Sequence, residues 1–433
     1  MMEFLKNKKC QCGKIHNFSS IVISGEVTIN KLPEILREHN IKKVFIVEDK
    51  NTFKAAGEMV EKLLKEENFE TSKYIFLSDK LEPDENAVGL AFMNFDFLSD
   101  AIIGIGSGVI NDICKIISNV SNKKYILVAT APSMDGFVSS TSSMTVSGFK
   151  KSLQSKCADV VIGDTNILCK APVKLMVSGI GDMIAKYVSI CEWRISHLIN
   201  GEYYCEEIAE LVRASLKKCV DNVDGVLTRD KKAIGNIFEG LVMSGVAMNY
   251  AGISRPASGV EHYFSHIWDM RGAAFKTPCD LHGIQCAIGT LIAIRIYEKL
   301  YNYVPDKTKA VKYVENFDKE KWFKELPKFV GKDAEEMVQF EEKEQKYNVK
   351  KHAERIDTII NNWDKILKII KEELPYSKEI ENLLKKLNAP LKPSDIGIED
   401  SIISRTFKTT KDIRDKYILS SLCFDLGILD EIV

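Results

Sequence analysis

DAIIGIGSGVIND, residues 100–112, passes from an apolar β-branched run through three glycines into a stretch with helical spacing. Asp100–Ile105 reads as a buried strand and Ser107–Val120 as the helix that follows it. Gly104, Gly106 and Gly108 let backbone approach a ligand with no Cβ in the way, and the N–H groups at a helix start favour phosphate oxygens. The spacing departs from G-x-G-x-x-G, so a tight strand-to-helix turn without a ligand accounts for it equally well.

Outward from this turn the pattern repeats. Ile41–Val47, Lys73–Leu77 and Tyr125–Thr130 read as strands and Phe53–Lys65 as a helix, which predicts helical crossovers and a mainly parallel, Rossmann-like sheet. From about Lys174 apolar residues recur at helical spacing, through Met176–Ile199, Cys205–Cys219, Lys232–Tyr250 and Ile284–Tyr301, with no strand between. Residues 302–390 set Lys and Glu around periodic apolar positions such as Ile356, Ile359, Trp363, Ile366 and Ile370, the solvated face of packed helices. A length of 433 residues, against roughly 100 to 200 per domain, then suggests an α/β domain over 1–170 and an all-helical domain over 171–433.

Sixty basic residues against sixty-one acidic ones leave no long-range field to gather nucleic acid or an anionic membrane, so neither is expected as a partner. Eleven irregularly spaced cysteines and no apolar leader point to a reduced cytoplasm. No apolar run approaches the roughly 20 residues that cross a bilayer.

Two loops at strand ends carry polar chemistry. Asp49 either accepts from a ribose hydroxyl, favouring NAD over NADP, or caps the next helix, with Asn51 and Thr52 equally placed to do so. Thr130, Ala131, Pro132, Ser133, Met134 and Asp135, followed by hydroxyl residues from Ser139 to Ser143, read as a donor-rich loop rather than a core segment.

Three of the seven histidines, His262, His266 and His282, fall within 21 residues. His262 and His266 are one helical turn apart, and His282 opens a new apolar helix. With Asp182, set in a small apolar helix start, they form a candidate site for a divalent ion with an open position; satisfied core histidines are the plainer alternative.

The run Gly104–Asp112, the Thr130–Ser139 loop, Gly181-Asp182, the segment Ser254-Arg255-Pro256-Ala257-Ser258-Gly259-Val260-Glu261-His262 and Leu281-His282-Gly283 occur in this order. In these motifs, over roughly residues 18–300, the chain resembles the sn-glycerol-1-phosphate dehydrogenase family, within the wider group of iron-containing alcohol dehydrogenases, glycerol dehydrogenases and dehydroquinate synthases. The resemblance implies a dehydroquinate synthase-like fold and a metal, zinc or nickel, on Asp182, His262 and His282, with His266 and Asp135 at the substrate. It implies NAD, or NADP, at Asp49, Gly106, Gly108, Val109, Ile110, Asn111, Asp112, Thr130, Ala131, Pro132, Ser133 and Ser139. It further implies reduction of dihydroxyacetone phosphate, the reverse oxidation of glycerol 1-phosphate, and a homodimer. Ser254, Arg255 and Ser258 are the expected substrate-phosphate donors, an Arg fork being suited to phosphate, while an internal salt bridge is the competing role for Arg255. A glycerol or other alcohol dehydrogenase, or a lyase resembling dehydroquinate synthase, is the alternative function. Cys10, Cys12 and His16 supply three soft ligands at tight spacing, or merely an N-terminal strand entry.

Overall fold

The computed structural model describes residues 9–147 and 149–433. The chain forms two compact units, one of residues up to Met183 with Ala214–Gly252, the other of Ile184–Arg213 with Ile253–Val433.

The first unit is built on a six-stranded sheet: β1 (Ile21–Gly25), β2 (Lys43–Asp49), β3 (Glu70–Phe76), β4 (Ala101–Gly106), β5 (Lys124–Ala129) and β8 (Val160–Asp164), with β6 (Thr141–Val146) and β7 (Phe149–Gln154) forming a separate antiparallel hairpin. The sheet order is β1-β8-β5-β4-β2-β3 and every pair in it is parallel. Because β2 lies between β3 and β4, the order reverses there, and the crevice of such a sheet opens beyond the carboxyl ends of those strands. Asp49 ends β2 and Gly106 ends β4, so the chain's two glycine- and carboxylate-bearing turns stand at that point.

Parallel strands are covered on both faces and therefore read as continuous apolar runs; β4 and all but the first residue of β5 are buried. Leu32 and Leu36 of α1 (Leu32–Glu38), with Val60 and Leu64 of α2 (Glu58–Glu66), pack on Val44, Ile46, Ile103, Ile105 and Val128. Each such side chain contributes about 1.5–3 kcal/mol on burial. Helix α3 (Gly108–Ser121) follows β4, and its apolar face carries Ile110, Ile113, Cys114 and Ile117 into the core.

One member of this core is charged in most proteins. Glu48 points to the same face as Val44 and Ile46, is fully buried, and neither carboxyl oxygen meets a hydrogen-bond partner among the described residues. A Cβ on Gly57 would lie 2.0 Å from Glu48 Oε2, so the glycine leaves room for the carboxyl. Burial, then Glu61, raises its pKa to about 7 from the usual 4.5. The unfolded chain releases this proton at lower pH than the fold does, so stability is full below about pH 4.5 and declines up to about pH 7. In Glu48→Gln that decline should shrink, and the variant should gain most over the parent at pH 8; a urea midpoint difference equal at pH 5 and pH 8 would contradict this.

The second unit is helical. Helix α4 (Val173–Asn200) begins in the first unit and ends in the second, α5 (Glu206–Val220) begins in the second and ends in the first, and α6 (Lys231–Ala251) belongs to the first. Helices α7 (Val260–Phe275) and α8 (His282–Leu300) pack closely where Gly289 meets Glu261: a Cβ there would sit 2.6 Å from the Glu261 carbonyl oxygen. Further on, Ile356, Ile359, Trp363, Ile366 and Ile370 are buried under charged outer faces, as their periodicity requires. Among the described residues no helix is long and apolar enough to cross a membrane.

The expected helices and the strands Ile41–Val47, Lys73–Leu77, Asp100–Ile105 and Tyr125–Thr130 are present with ends displaced by up to three residues. Two strands and the hairpin were not anticipated. The hydroxyl-rich stretch from Thr141 is a strand rather than a loop, and Ser142 is fully buried, donating to Asp112 O at 3.1 Å and Ser155 Oγ at 3.0 Å.

Candidate active site

The turn between β4 and α3 is forced into shape by packing at one glycine and left open at another. A Cβ on Gly106 would collide with Ile110, 2.6 Å from its Cβ. At Gly108 a Cβ would meet only Met134 Cγ at 3.6 Å, so packing does not demand glycine there; an approaching ligand would. Ser107 precedes α3 without capping it, and its hydroxyl is spent on Ala131 O at 3.1 Å and Ser133 Oγ at 2.5 Å. The first N–H groups of α3, from Gly108, Val109 and Ile110, thus receive no cap from the Ser107 side chain, an arrangement suited to an anion.

That loop is clamped from three sides. Lys115, 1% exposed, donates to Gly136 O, Ser139 Oγ and Thr141 O and pairs with Asp112 at 3.0 Å. Asn111 gives its amide to Gly136 O and accepts from Tyr125 Oη. A Cβ on Gly179 of α4 would lie 2.0 Å from Pro132 O, and one on Gly245 of α6 would lie 2.8 Å from Asp135 O. One turn beyond Gly179, Asp182 Oδ2 accepts from the Asp135 backbone N–H at 2.9 Å, while Ser244 donates to Asp135 Oδ2 at 2.9 Å. Both carboxylates are buried.

In the helical unit, ligand atoms of His262, His282 and Cys286 lie within 4.8 Å of one another. His262 Nδ1 donates to Glu261 Oε1 at 2.8 Å, which places the lone pair on Nε2. Glu261 is held in turn by the Gly259 N–H at 2.7 Å. His282 Nδ1 bonds Ser265 Oγ at 3.0 Å, and Gln285 joins Ser265 to Asp269. Cys286 Sγ stands 3.5 Å from His282 Nε2; burial opposes its ionisation, but His262 and His282 prevail and lower its pKa. His266, one turn after His262, has its ring 5.9 Å from that of His282.

A buried frame carries the histidines. Glu192 of α4 accepts from the N–H groups of Val260 at 3.0 Å and Leu419 at 2.8 Å. Burial and the neighbouring Glu261 raise its pKa to about 8. Lys186 and Ser189, two turns and one turn earlier, hold Ala257 O and Pro256 O.

A family model described as iron-containing alcohol dehydrogenase matches residues 23–172. The glycerol-1-phosphate dehydrogenase [NAD(P)+] of Geobacillus thermodenitrificans is 29% identical over 97% of this chain and 96% of its own. That of Bacillus velezensis is 33% identical over 67% of this chain and 76% of its own. The chain belongs to the glycerol-1-phosphate dehydrogenase family. Its fold is that of the solved glycerol dehydrogenase from Schizosaccharomyces pombe, with TM-score 0.61 at 16% identity over 97% of this chain and 91% of that one.

For a glycerol-1-phosphate dehydrogenase family site, the residues expected from sequence fall as follows. Gly106–Asp112 form one turn and Thr130–Ser133 the loop beside it, with Ser139 tied to Lys115. Asp49 caps the next helical turn, Oδ1 accepting from Asn51 N–H at 2.7 Å and Thr52 N–H at 2.9 Å. Arg255 is 1% exposed; its guanidinium reaches Glu202 at 3.1 Å, Glu192 O and Tyr417 O, leaving Nη1 with no partner among the described residues. Ser254 Oγ and Ser258 O accept from Lys416 Nζ at 3.1 and 2.9 Å. Sequence reasoning missed Lys416, the supporting pair Glu192 and Glu261, and Cys286, although Cys286 lies four residues after His282 on one helical face.

Proposed function

We propose that this chain reduces dihydroxyacetone phosphate to sn-glycerol 1-phosphate, and catalyses the reverse, with NAD(P)H and one divalent ion, zinc or nickel. The single observation that carries the reading is the group of buried His262, half-buried His282 and buried Cys286, its first imidazole oriented by Glu261, in a chain of this family. Asp182, His262 and His282 are the proposed ligands, with the Cys286 thiol beside the two imidazoles. One carboxylate and two imidazoles suit zinc or nickel and leave a position for a substrate oxygen. Bound there, such an ion supplies Lewis-acid polarisation of a carbonyl, and the nicotinamide supplies hydride.

The chain's own groups do the rest. Residues 1–170 are proposed to carry the cofactor, its pyrophosphate on the open N–H groups of α3 and its ribose at Asp49; residues 171–433 carry metal and substrate. Asp135, held by Ser244, positions a substrate hydroxyl. His266 exchanges the proton that the product alcohol requires. A homodimer in the cytoplasm, supplying the backbone of a phospholipid, completes the proposal.

The substrate phosphate is assigned to Ser254, Ser258, Lys416 and the remaining Arg255 donor. An ammonium has three protons, and Lys416 spends two on Ser254 and Ser258. A charge-assisted hydrogen bond is worth about 1.5–3 kcal/mol, or about 10–100-fold in affinity. Lys416→Met should therefore raise KM for dihydroxyacetone phosphate by at least tenfold and leave kcat/KM for unphosphorylated dihydroxyacetone unchanged. Equal losses on both substrates would overturn the phosphate assignment. Burial, with Arg255 and Arg414, lowers the Lys416 pKa to about 7. Its charge is present below that pH and lost above it, so KM for the phosphorylated ketone should climb above pH 7, and climb less in Lys416→Arg.

A further inference from the structure

The N-terminal Cys10-Gln11-Cys12-Gly13-Lys14-Ile15-His16 supplies no residue to the proposed dehydrogenase chemistry and is folded against expectation for its hydrophobicity. Ile15 is 62% exposed, while Cys10 is 4% and His16 1% exposed. A segment placed by apolar burial alone would turn the isoleucine inward; this one turns in two sulfur- and nitrogen-bearing side chains instead.

Backbone geometry explains how. Lys9 and Ile15 pair across an antiparallel bridge, the Cys10 N–H donates to Lys14 O, and the Gly13 N–H donates to Cys10 O, both at 2.9 Å. Gly13 has φ +84°, which glycine alone adopts without strain, and it turns the chain so that the thiols at 10 and 12 converge. The Cys12 N–H points at Cys10 Sγ from 3.4 Å, a hydrogen bond that stabilises a thiolate more than a thiol. His16 Nδ1 donates to Tyr250 O at 2.8 Å, so its lone pair is on Nε2, and Nε2 is 3.5 Å from Cys12 Sγ. A backbone carbonyl that fixes the ring nitrogen facing away from the site is the usual orienting contact of a metal-bound imidazole. The ligand atoms of Cys10, Cys12 and His16 lie within 4.8 Å of one another.

We propose that Cys10, Cys12 and His16 bind a zinc ion that the dehydrogenase reaction does not use. Two thiolates and one imidazole are three donors of the kind that structural zinc sites use, and an ion held by them fastens the Cys10–His16 turn in place. Binding releases the thiol protons, and the site fills as the chain folds.

The test is metal content by mass spectrometry in full-length protein folded with zinc and washed without chelator. The parent should hold two equivalents and Cys10→Ser/Cys12→Ser one. Should the double variant fail to fold, His262→Ala/His282→Ala decides: it should keep one equivalent, and after cobalt replacement that ion should show the charge-transfer band of a tetrahedral thiolate site. Unchanged stoichiometry in folded Cys10→Ser/Cys12→Ser, or no retained ion in His262→Ala/His282→Ala, overturns the proposal. Because the latter variant loses turnover whichever way its metal content falls, failure here is distinct from failure of the dehydrogenase reading.

Discussion

His262→Ala is expected to lower kcat/KM for dihydroxyacetone phosphate by at least about a thousandfold, the effect of withdrawing several kcal/mol of charge stabilisation at the carbonyl oxygen. The imidazole has no purely structural substitute: it is buried at the start of α7, its Nδ1 is committed to Glu261, and alanine would leave that carboxylate facing a cavity. Loss of the bound ion should accompany loss of rate. His266→Ala, removing a half-buried ring beside His282 that is not a proposed ligand, should keep the ion and lose less. A His262→Ala enzyme that retains a full equivalent of metal at its active site and a tenth of its rate would refute the ligand assignment.

Gly179→Ala should be nearly as damaging through geometry alone. The added methyl would stand 2.0 Å from Pro132 O, and since that atom belongs to backbone there is no flexible side chain to yield. Either α4 or the Thr130–Asp135 loop must shift, and both carry proposed site residues, Asp182 on one and Ser133 and Asp135 on the other. Overpacking of this kind costs about 1–3 kcal/mol of stability. NADH affinity should fall at least tenfold, measured by fluorescence titration. The control is Gly89→Ala, where a Cβ would meet nothing within 4 Å. Equal NADH binding in the two variants would show that the loop is not positioned by this contact.

The strand–glycine–helix unit around residue 104 was legible because its signals are local: an apolar run, glycines, then helical spacing within two dozen residues. The same holds for His262, His266 and His282, scarce residues set close together. What escaped reading depends on partners far along the chain. Val160–Asp164 is a five-residue run that becomes a sheet strand only by lying between β1 and β5. Thr141–Val146 has too many hydroxyls to look like a strand, yet alternation buries Ser142 and Met144 and lets the hydroxyls bond Asp112 and Ser155. The role of the C-terminal part was invisible for the same reason. Lys416, Tyr417 and Leu419 bond Ser254, Ser258, Arg255 and Glu192 across more than 150 positions, and no periodicity announces such contacts. Arg255 shows the limit of reading residue type alone, since a fork suited to phosphate is here largely occupied by Glu202 and two carbonyls.

The central claim, a metal-dependent reduction of a phosphorylated ketone, is tested most directly by turnover of dihydroxyacetone phosphate with NADH in enzyme stripped of metal and then restored with zinc or nickel, with chiral analysis of the product. The account predicts negligible rate when stripped, recovery on restoration, and sn-glycerol 1-phosphate alone. A stripped enzyme that turns over at the restored rate, or a product of the opposite hand, would contradict it.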